Sequence, residues 1–346
     1  MNRTRRAVLA GLALGSAAGL PAQPLPTASA AAASAPGSDA ERLRDAAAFG
    51  PVESQLANQL TDVQSVVVLL RGRPAYAFHR NGDPQTLHPT QSVAKSAMAA
   101  LVGIALQQGQ LRSVHQPVVE LVPDWVVANA DPRAAAITLH HLLTMTSGFA
   151  IDDPTGTAPG LPAREAWARP LAHAPGQAFA YDNSIISLLW AVLEKATGMP
   201  LPDYAREHLV RPLAMAEPGY GRGLQLRTLD MARLGQLYLQ SGQWEGSQIL
   251  PEAFATASVQ PQNAGGPPAG LAYGYLWWVV PGKAPRPTFL ASGYSGQFIW
   301  VHPALELVVA TSSTVSPDVQ RRGQALQLIR GPLFSAAQQR VKAEAR

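Results

Sequence analysis

The sequence predicts an α+β fold, with a mostly antiparallel sheet built from both chain ends, flanked by helices, and an inserted all-helical subdomain. Two observations predict it. Strand-like segments lie near the two ends of the sequence, whereas amphipathic helical segments, punctuated by Gly and Pro, fill the middle. The predicted sheet lobe therefore covers about residues 39–90 and 270–346, and the helical lobe about residues 91–269.

The first elements of the sheet lobe follow from a helix start signal and a strand pair. Ser38–Glu41 has the form of a capping box, which predicts a helix over about Asp39–Ala48. The apolar runs Ser65–Leu70 and Ala75–His79 flank the turn residues Arg71–Pro74. This pattern predicts two antiparallel strands.

The middle of the chain has helical periodicity, and its last third returns to strands. Helices are predicted at Ser92–Gln108, Thr138–Thr144, Ile185–Thr197, Leu201–Leu209, Thr228–Gln240 and Pro251–Ser258. Strands are predicted at Tyr273–Val280, Phe289–Ser292, Gln297–His302 and Glu306–Ser312, before a helical end at Ser316–Arg340.

The first 30 residues resemble a targeting segment rather than part of the fold. Arg5 and Arg6 precede an apolar run, Ala7–Leu20, that is too short to span a bilayer comfortably, and Ala28–Ala30 offers a cleavage site. The pattern fits twin-arginine export, although a tail with chance arginines is the alternative. We expect a signal peptide over 1–30 and a periplasmic or secreted domain over 31–346, with no stable membrane anchor after cleavage.

Composition excludes several kinds of site. The chain has no cysteine, so it has no disulfide framework, thiol nucleophile or thiolate metal site. Without the first 30 residues the net charge falls from +4 to about +1, which gives no reason to expect a nucleic-acid or membrane-surface partner. No phosphate loop or dinucleotide fingerprint is evident, so we expect neither cofactor nor metal.

Ser92 and Lys95 are the strongest chemical signal in the sequence. Their spacing places a hydroxyl nucleophile and an amine base on one helix face. The surrounding residues are small and apolar, and at the helix start the Ser92 amide can receive an oxyanion. With four lysines and 21 serines, chance alone gives roughly 0.2 such pairs, so a serine N-cap with an exposed lysine is a fair alternative.

Further motifs along the chain support a catalytic role for this pair. Together with it, they resemble the serine β-lactamase and penicillin-binding-protein superfamily. The similarity is greatest to its class C-like branch, which includes esterases, D-amino-acid peptidases and 6-aminohexanoate-oligomer hydrolases. It covers roughly Val66 to Ser313 and rests on ordered motifs at 92–95, 141–148, 175–183, 230–239, 273–278 and 293–297. The resemblance implies a β-lactamase-like fold and acyl transfer through Ser92.

By this resemblance Tyr181 and Asn183 form a second catalytic element. A phenol beside Lys95 can share proton transfer with it, and either of the two can be the general base. Asn183 can hold Lys95 and offer its amide to a substrate carbonyl. Asp182 occupies a position where relatives often have serine, and without the family the whole segment is an ordinary turn.

The third element departs from the family pattern. Penicillin-recognising members have Lys or His, then Thr or Ser, then Gly, whereas this chain has Ala291, Ser292 and Gly293. The missing cationic or imidazole group weakens the case for a substrate carboxylate, but not for acyl transfer. Gly293 is expected to let the backbone approach the substrate, and the Tyr294 amide is expected to complete the oxyanion hole opposite the Ser92 amide. Without the family, the segment is a flexible turn.

Three other signals favour structural roles. His140 and His141 lack a metal-binding pattern and are expected to cap or pack. Trp277 and Trp278 would point to opposite faces of a strand, so at most one reaches a cleft, and core packing is favoured. The carboxylates of Asp152 and Asp153 could bind a substrate amine, but a solvated loop is the better interpretation of this segment.

Together these signals predict a serine hydrolase that cleaves ester or amide bonds of small substrates, of the carboxylesterase or 6-aminohexanoate-oligomer hydrolase type. A β-lactamase or D,D-peptidase is the enzymatic alternative. A penicillin-binding-like sensor that acylates once without turnover is the alternative outside enzymes. The expected partner is a small-molecule ester or amide, and oligomeric state cannot be read from the sequence.

Overall fold

The computed structural model describes residues 38–153 and 156–344. The predicted signal peptide lies outside these described residues, so it stays a prediction. Within them, no helix combines the length and the apolar character that crossing a membrane requires.

The described chain contains helices and strands in the predicted order. The α-helices are α1 Asp39–Asn58, α2 Ala94–Gln107, α3 Val118–Leu121, α4 Leu139–Leu143, α5 Ala163–Trp167, α6 Ile185–Thr197, α7 Leu201–Ala205, α8 Thr228–Leu239, α9 Glu252–Ser258, α10 Val319–Leu328 and α11 Phe334–Glu344. The strands are β1 Val63–Leu70, β2 Arg73–His79, β3 His88–Pro89, β4 Gln225–Leu226, β5 Gln243–Trp244, β6 Ser247–Gln248, β7 Asn263–Gly266, β8 Leu271–Tyr273, β9 Trp278–Val279, β10 Phe289–Gly293, β11 Gln297–His302 and β12 Leu307–Ser313.

One antiparallel sheet unites strands from both ends of the chain. Its strand order is β2-β1-β12-β11-β10-β9-β8-β7, so β1 from the N-terminal part pairs with β12 from the C-terminal part. The helices α2 to α9 are inserted between β2 and β7 in sequence. This arrangement confirms the predicted α+β fold.

Helices cover both faces of this sheet. Gly235 of α8 lies against Ile299 and Val301 of β11, whereas His302 of the same strand packs edge-on against Phe334 of α11. Since successive strand residues point to opposite faces, α8 and α11 lie on opposite sides. The apolar core therefore has two layers, one on each face of the sheet.

The predicted end of α1 is wrong. The helix continues beyond Ala48 through Pro51 to Asn58, because Phe49, Val52 and Leu56 recur at helical spacing and are all buried. Burial of this apolar stripe outweighs the loss of one backbone donor at the proline.

The single strand predicted over Tyr273–Val280 is also wrong. The chain leaves the sheet after β8, makes a turn closed by the Gly274 amide on the Trp277 oxygen, and returns as β9. Leu276 occupies the left-handed region there with a φ of 57°. The Leu276 amide donates to the Leu143 oxygen, and the Leu276 oxygen accepts from the Ser96 hydroxyl. These tertiary hydrogen bonds replace the sheet pairing.

Other differences concern segment ends and short elements. The helix predicted over Leu201–Leu209 is α-helical only to Ala205 and continues as a π-helix at Arg206–Val210. The helix predicted at the C-terminal end starts at Val319, as α10, rather than at Ser316. It continues through a π-helical turn at Ile329–Leu333 into α11. An edge strand, β7, occupies a Gly-rich and Pro-rich stretch that gave no strand signal. The remaining predicted helices and strands end within two residues of their predicted limits.

Candidate active site

Ser92 and Lys95 lie together at the N-terminal end of α2. Residues Gln91–Val93 form a 3₁₀ turn that leads into α2, and Gln91 has a left-handed φ of 51°. Lys95 is 4% exposed, and its Nζ donates to Ser92 Oγ at 3.0 Å. The local spacing therefore brings a hydroxyl and an amine into hydrogen-bond contact.

The other neighbours of Lys95 are an amide oxygen and an aromatic face. Nζ donates to Asn183 Oδ1 at 2.7 Å and lies 4.8 Å from the centre of the Tyr181 ring. Within the described chain, the hydrogen-bond partners of Lys95 Nζ are thus Ser92 and Asn183, and no ion pair involves it. The Tyr181 ring thus faces Lys95 Nζ at a distance typical of a cation–π contact.

The Tyr181 ring is held by close aromatic packing. It stacks on Trp278, with ring centres 5.7 Å apart, and meets Tyr273 edge-on. On another side Gly156 approaches so closely that an added Cβ would lie 2.7 Å from Tyr181 Cδ1. Burial, and then the nearby Tyr181, raise the pKa of Tyr273 well above its usual value, so its hydroxyl stays protonated.

Asn183 connects Lys95 to the loop that precedes α5. Its Nδ2 donates to the oxygens of Gly156, at 2.9 Å, and Ala158, at 2.7 Å. Asp153 shapes this loop by accepting from the Ala158 amide at 2.6 Å. The structure therefore uses the amide donors of Asn183 within the protein, rather than leaving them toward a substrate carbonyl, and gives Asp153 a structural role.

Asp182, between the two predicted site residues, forms a buried ion pair that sequence reasoning missed. Its carboxylate binds the guanidinium of Arg169, and the two side chains are 4% and 15% exposed. Its Oδ1 also accepts from the Ser184 amide, and its own amide donates to Met145 Sδ. The charge of Asp182 is thus balanced by Arg169, and the pair anchors the 181–183 segment.

Strand β10 brings Gly293 close to the turn that carries Ser92. An added Cβ on Gly293 would lie 2.6 Å from the Thr90 oxygen and 3.0 Å from Gln91 Cβ. Only glycine allows this approach. Ser292 is half-buried next to it on the strand, and Ala291 is buried in the core.

Tyr294 follows β10 in a turn and is 38% exposed. Ser295 and Gly296 continue that turn with φ values of 66° and 94°. Ser295 Oγ donates to the Ser316 oxygen at 2.8 Å, which fixes the turn. Tyr294 is thereby held at the wall of a cavity that Ser92 also lines.

This cavity has a volume of about 710 Å³, within the range of small-molecule sites. Ser92, Lys95, Asn183 and Tyr294 all contribute to its wall, whereas Tyr181, Ser292 and Gly293 do not. The structure thus brings four predicted site residues to one opening and places three others in supporting positions.

The segments favoured for structural roles behave as structural residues. His141 Nδ1 accepts from the Thr138 amide at 3.2 Å in a capping box, and His140 stacks on His115. Trp277 and Trp278 are both buried. No group of three or more His, Cys, Asp or Glu side chains suited to a metal ion occurs among the described residues.

The chain is similar to known proteins in sequence and in fold. The Beta-lactamase family model matches residues 54–227. Esterase EstB of Burkholderia gladioli is 29% identical over 44% of this chain, and the match spans 44% of the esterase, less than half its length.

Two solved structures share the fold at low identity. One, from Bacillus anthracis and assigned as a 6-aminohexanoate-dimer hydrolase, has a TM-score of 0.66 at 20% identity, covering 84% of this chain and 82% of that one. The other, D-alanine carboxypeptidase AmpC of Burkholderia cenocepacia, has a TM-score of 0.61 at 18% identity, covering 85% and 99%.

Proposed function

Since this chain belongs to the Beta-lactamase family, we propose that it is a serine hydrolase that cleaves small esters, or short linear amides, through an acyl-enzyme on Ser92. The observation that carries the proposal is the 3.0 Å contact between Lys95 Nζ and Ser92 Oγ at the wall of the cavity. The resemblance to an esterase supports the same reaction class.

In the proposed reaction, deprotonated Lys95 removes the Ser92 hydroxyl proton while Oγ attacks the substrate carbonyl carbon. The bond from that carbon to the alcohol or amine breaks, and the leaving group takes the proton from Lys95. Water then repeats the sequence on the acyl-enzyme, with Lys95 again accepting and returning a proton. The products are the free acid and regenerated Ser92.

Tyr181 supports the charge that this transfer creates. Its ring face lies 4.8 Å from Lys95 Nζ, where the π-system favours the ammonium form that follows proton abstraction. Asn183 positions the same amine through its 2.7 Å hydrogen bond. We therefore assign the base to Lys95, the group within hydrogen-bond distance of Oγ.

A pair of Tyr181 variants tests this division of roles. Tyr181→Phe keeps the ring and is expected to retain much of the kcat, whereas Tyr181→Leu removes the ring and is expected to lose most of it. If Tyr181→Phe is as inactive as Lys95→Met, the hydroxyl carries the proton and the assignment to Lys95 is wrong.

The oxyanion of the tetrahedral intermediate is assigned to the backbone amides of Ser92 and Tyr294. Both residues line the cavity, and the close approach of Gly293 to the turn that carries Ser92 supports this assignment. Half-buried Ser292, beside Gly293 on β10, is expected to support this edge of the substrate site.

The charges of the cavity disfavour a substrate that carries a positive charge. Among its described wall residues, Lys95 and Arg222 are the charged ones, so no carboxylate faces a substrate ammonium. Ala291 is buried and supplies no cation from β10 for a substrate carboxylate. Amides that carry an ammonium group are therefore expected to react more slowly than uncharged esters.

The test is a hydrolysis screen over p-nitrophenyl esters, linear amides, D-peptides and a chromogenic cephalosporin. Ser92→Ala is compared with Ser335→Ala, since Ser335 is an exposed serine on α11. We expect ester turnover in the wild type and in Ser335→Ala, and none in Ser92→Ala. Equal turnover in Ser92→Ala would overturn the proposal.

The alternatives give distinct results in the same screen. Preferential hydrolysis of the cephalosporin or of D-peptides would show a β-lactamase or D,D-peptidase. A stoichiometric burst that then stops would show a sensor that acylates without turnover.

We also propose that the protein is exported through the twin-arginine route, on the basis of the residue pattern over 1–30 alone. Replacing Arg5 and Arg6 with lysine is expected to hold the full-length chain in the cytoplasm. An unchanged cell fractionation would contradict this proposal.

A further inference from the structure

The cavity extends from Ser92 along one face of α2. Ala94, Ala97, Met98 and Leu101 line it, at positions i, i+3, i+4 and i+7 of that helix. With a rise of 1.5 Å per residue, this stripe runs about 10 Å away from the nucleophile. The part of the cavity beyond the catalytic residues is thus a channel with Ser92 at one end.

Side chains of α6, α7 and the π-helix that follows form the facing wall. Ile186 and Trp190, one helical turn apart, contribute from α6, and Leu201, Ala205 and Leu209 contribute at four-residue spacing. The last three are buried, each with less than a tenth of its surface exposed. Both long walls of the channel are therefore apolar.

Protein interiors rarely leave apolar space of this size unfilled, since dispersion contacts favour close packing. The two charged wall residues lie outside the apolar stripes: Lys95 contacts Ser92 at the start of α2, and Arg222 is exposed. A channel of this composition excludes a charged or strongly hydrated group and suits a hydrocarbon chain.

We propose that this α2 channel binds the acyl chain of the substrate, so that the preferred esters carry an unbranched apolar acyl group of about six to ten carbons. The inference rests on the proposed function, because Ser92 must hold the acyl carbon at the channel entrance. A chain attached there stays in place through both formation and hydrolysis of the acyl-enzyme. The alcohol leaves after the first step, so contact with the channel could stabilise it only during formation of the acyl-enzyme.

The expected effect follows from burial of methylene groups. Each one transferred from water into the channel raises kcat/KM by up to about threefold to fourfold. The rise is expected to continue from acetyl to about octanoyl esters and to stop where the chain fills the channel. Varying the alcohol of acetate esters is expected to change kcat/KM far less.

A matched pair of variants tests the location. Met215 lines the cavity and Met199 does not, although both are partly exposed methionines. Met215→Trp is expected to lower the ratio of octanoyl to acetyl kcat/KM by about tenfold or more, because an indole occupies channel volume. Met199→Trp is expected to keep the wild-type ratio. Ala97→Leu, on the α2 stripe, provides a second narrowing variant if Met215→Trp fails to fold.

The outcomes separate this inference from the proposed function. Acetyl ester hydrolysis that depends on Ser92 but does not rise with acyl length would overturn the channel assignment alone. Equal octanoyl-to-acetyl ratios in the folded narrowing variants and the wild type would do the same. No hydrolysis of any ester, with no labelling of Ser92, would overturn both.

Discussion

The ion pair between Asp182 and Arg169 should be one of the most sensitive points of the candidate site. The two side chains are 4% and 15% exposed, so Asp182→Ala leaves a guanidinium in the protein interior without its counter-charge. Breaking a buried pair in this way costs about 3–5 kcal/mol of unfolding free energy. For a chain of this size, that loss corresponds to a fall in Tm of about 5–8 °C.

Asp203→Ala provides the matched control, since Asp203 also pairs with an arginine, Arg206, but with 52% and 38% exposure. Arg206 also keeps a second partner in Glu217. Exposed pairs contribute about 0–1 kcal/mol, so the control should shift Tm by less than about 2 °C. Thermal unfolding of wild type and both variants, followed by circular dichroism at one salt concentration, makes the comparison.

Asp182→Asn separates the charge from the hydrogen bonds. It keeps an acceptor for the Ser184 amide but removes the negative charge, so most of the stability loss is expected to remain. Because the pair anchors the 181–183 segment, kcat for esters should fall in both Asp182 variants. Equal Tm shifts for Asp182→Ala and Asp203→Ala would refute the reasoning.

Three further predictions concern the base, the strand approach and the response to pH. Lys95→Arg and Lys95→Met should each lose about 10²–10⁴-fold in kcat, because an arginine does not release its proton and a methionine has no amine. Substantial hydrolysis of esters by the arginine variant would rule out the base role of Lys95. Gly293→Ala should lower kcat/KM by about 10²-fold, because a Cβ there would lie 2.6 Å from a backbone oxygen of the turn before α2. Gly282→Ala, which has open space around the added Cβ, should change kcat/KM little. Equal kinetics in the two variants would count against the close approach. Burial and neighbouring histidines lower the pKa of His140 and His141 from 6.5, so near that pH the unfolded chain binds more protons than the native state. The free energy of unfolding, measured with urea, should therefore be smaller at pH 5.5 than at pH 7.5. An equal or larger value at pH 5.5 would contradict this.

The parts of the site that the sequence predicted are those with local or ordered signals. The contact between Ser92 and Lys95 follows from helical spacing alone. The contact between Lys95 and Asn183 joins residues 88 positions apart, and only the order of family motifs indicated that they meet. Gly293 was expected to let the backbone approach a substrate, which stays a prediction, and its closeness to the turn before α2 was not foreseen.

The missed features depend on long-range contacts that leave no pattern in the sequence. Arg169 has no motif or periodicity that connects it to Asp182, and Gly156 gives no sign that it packs on the Tyr181 ring. The break between β8 and β9 depends on the left-handed backbone of Leu276 and on hydrogen bonds to α2 and the end of α4. Apolar composition alone favoured a continuous strand there.

The central claim is that Ser92 forms the covalent bond to the acyl group. Trypsin should release Asn81–Lys95 as one peptide, in which Ser92 is the single serine. Peptide mass mapping after acid quenching of an ester reaction, or after fluorophosphonate labelling, should place the added mass on Ser92. An adduct on any other residue, or the same labelling in Ser92→Ala, would contradict the claim.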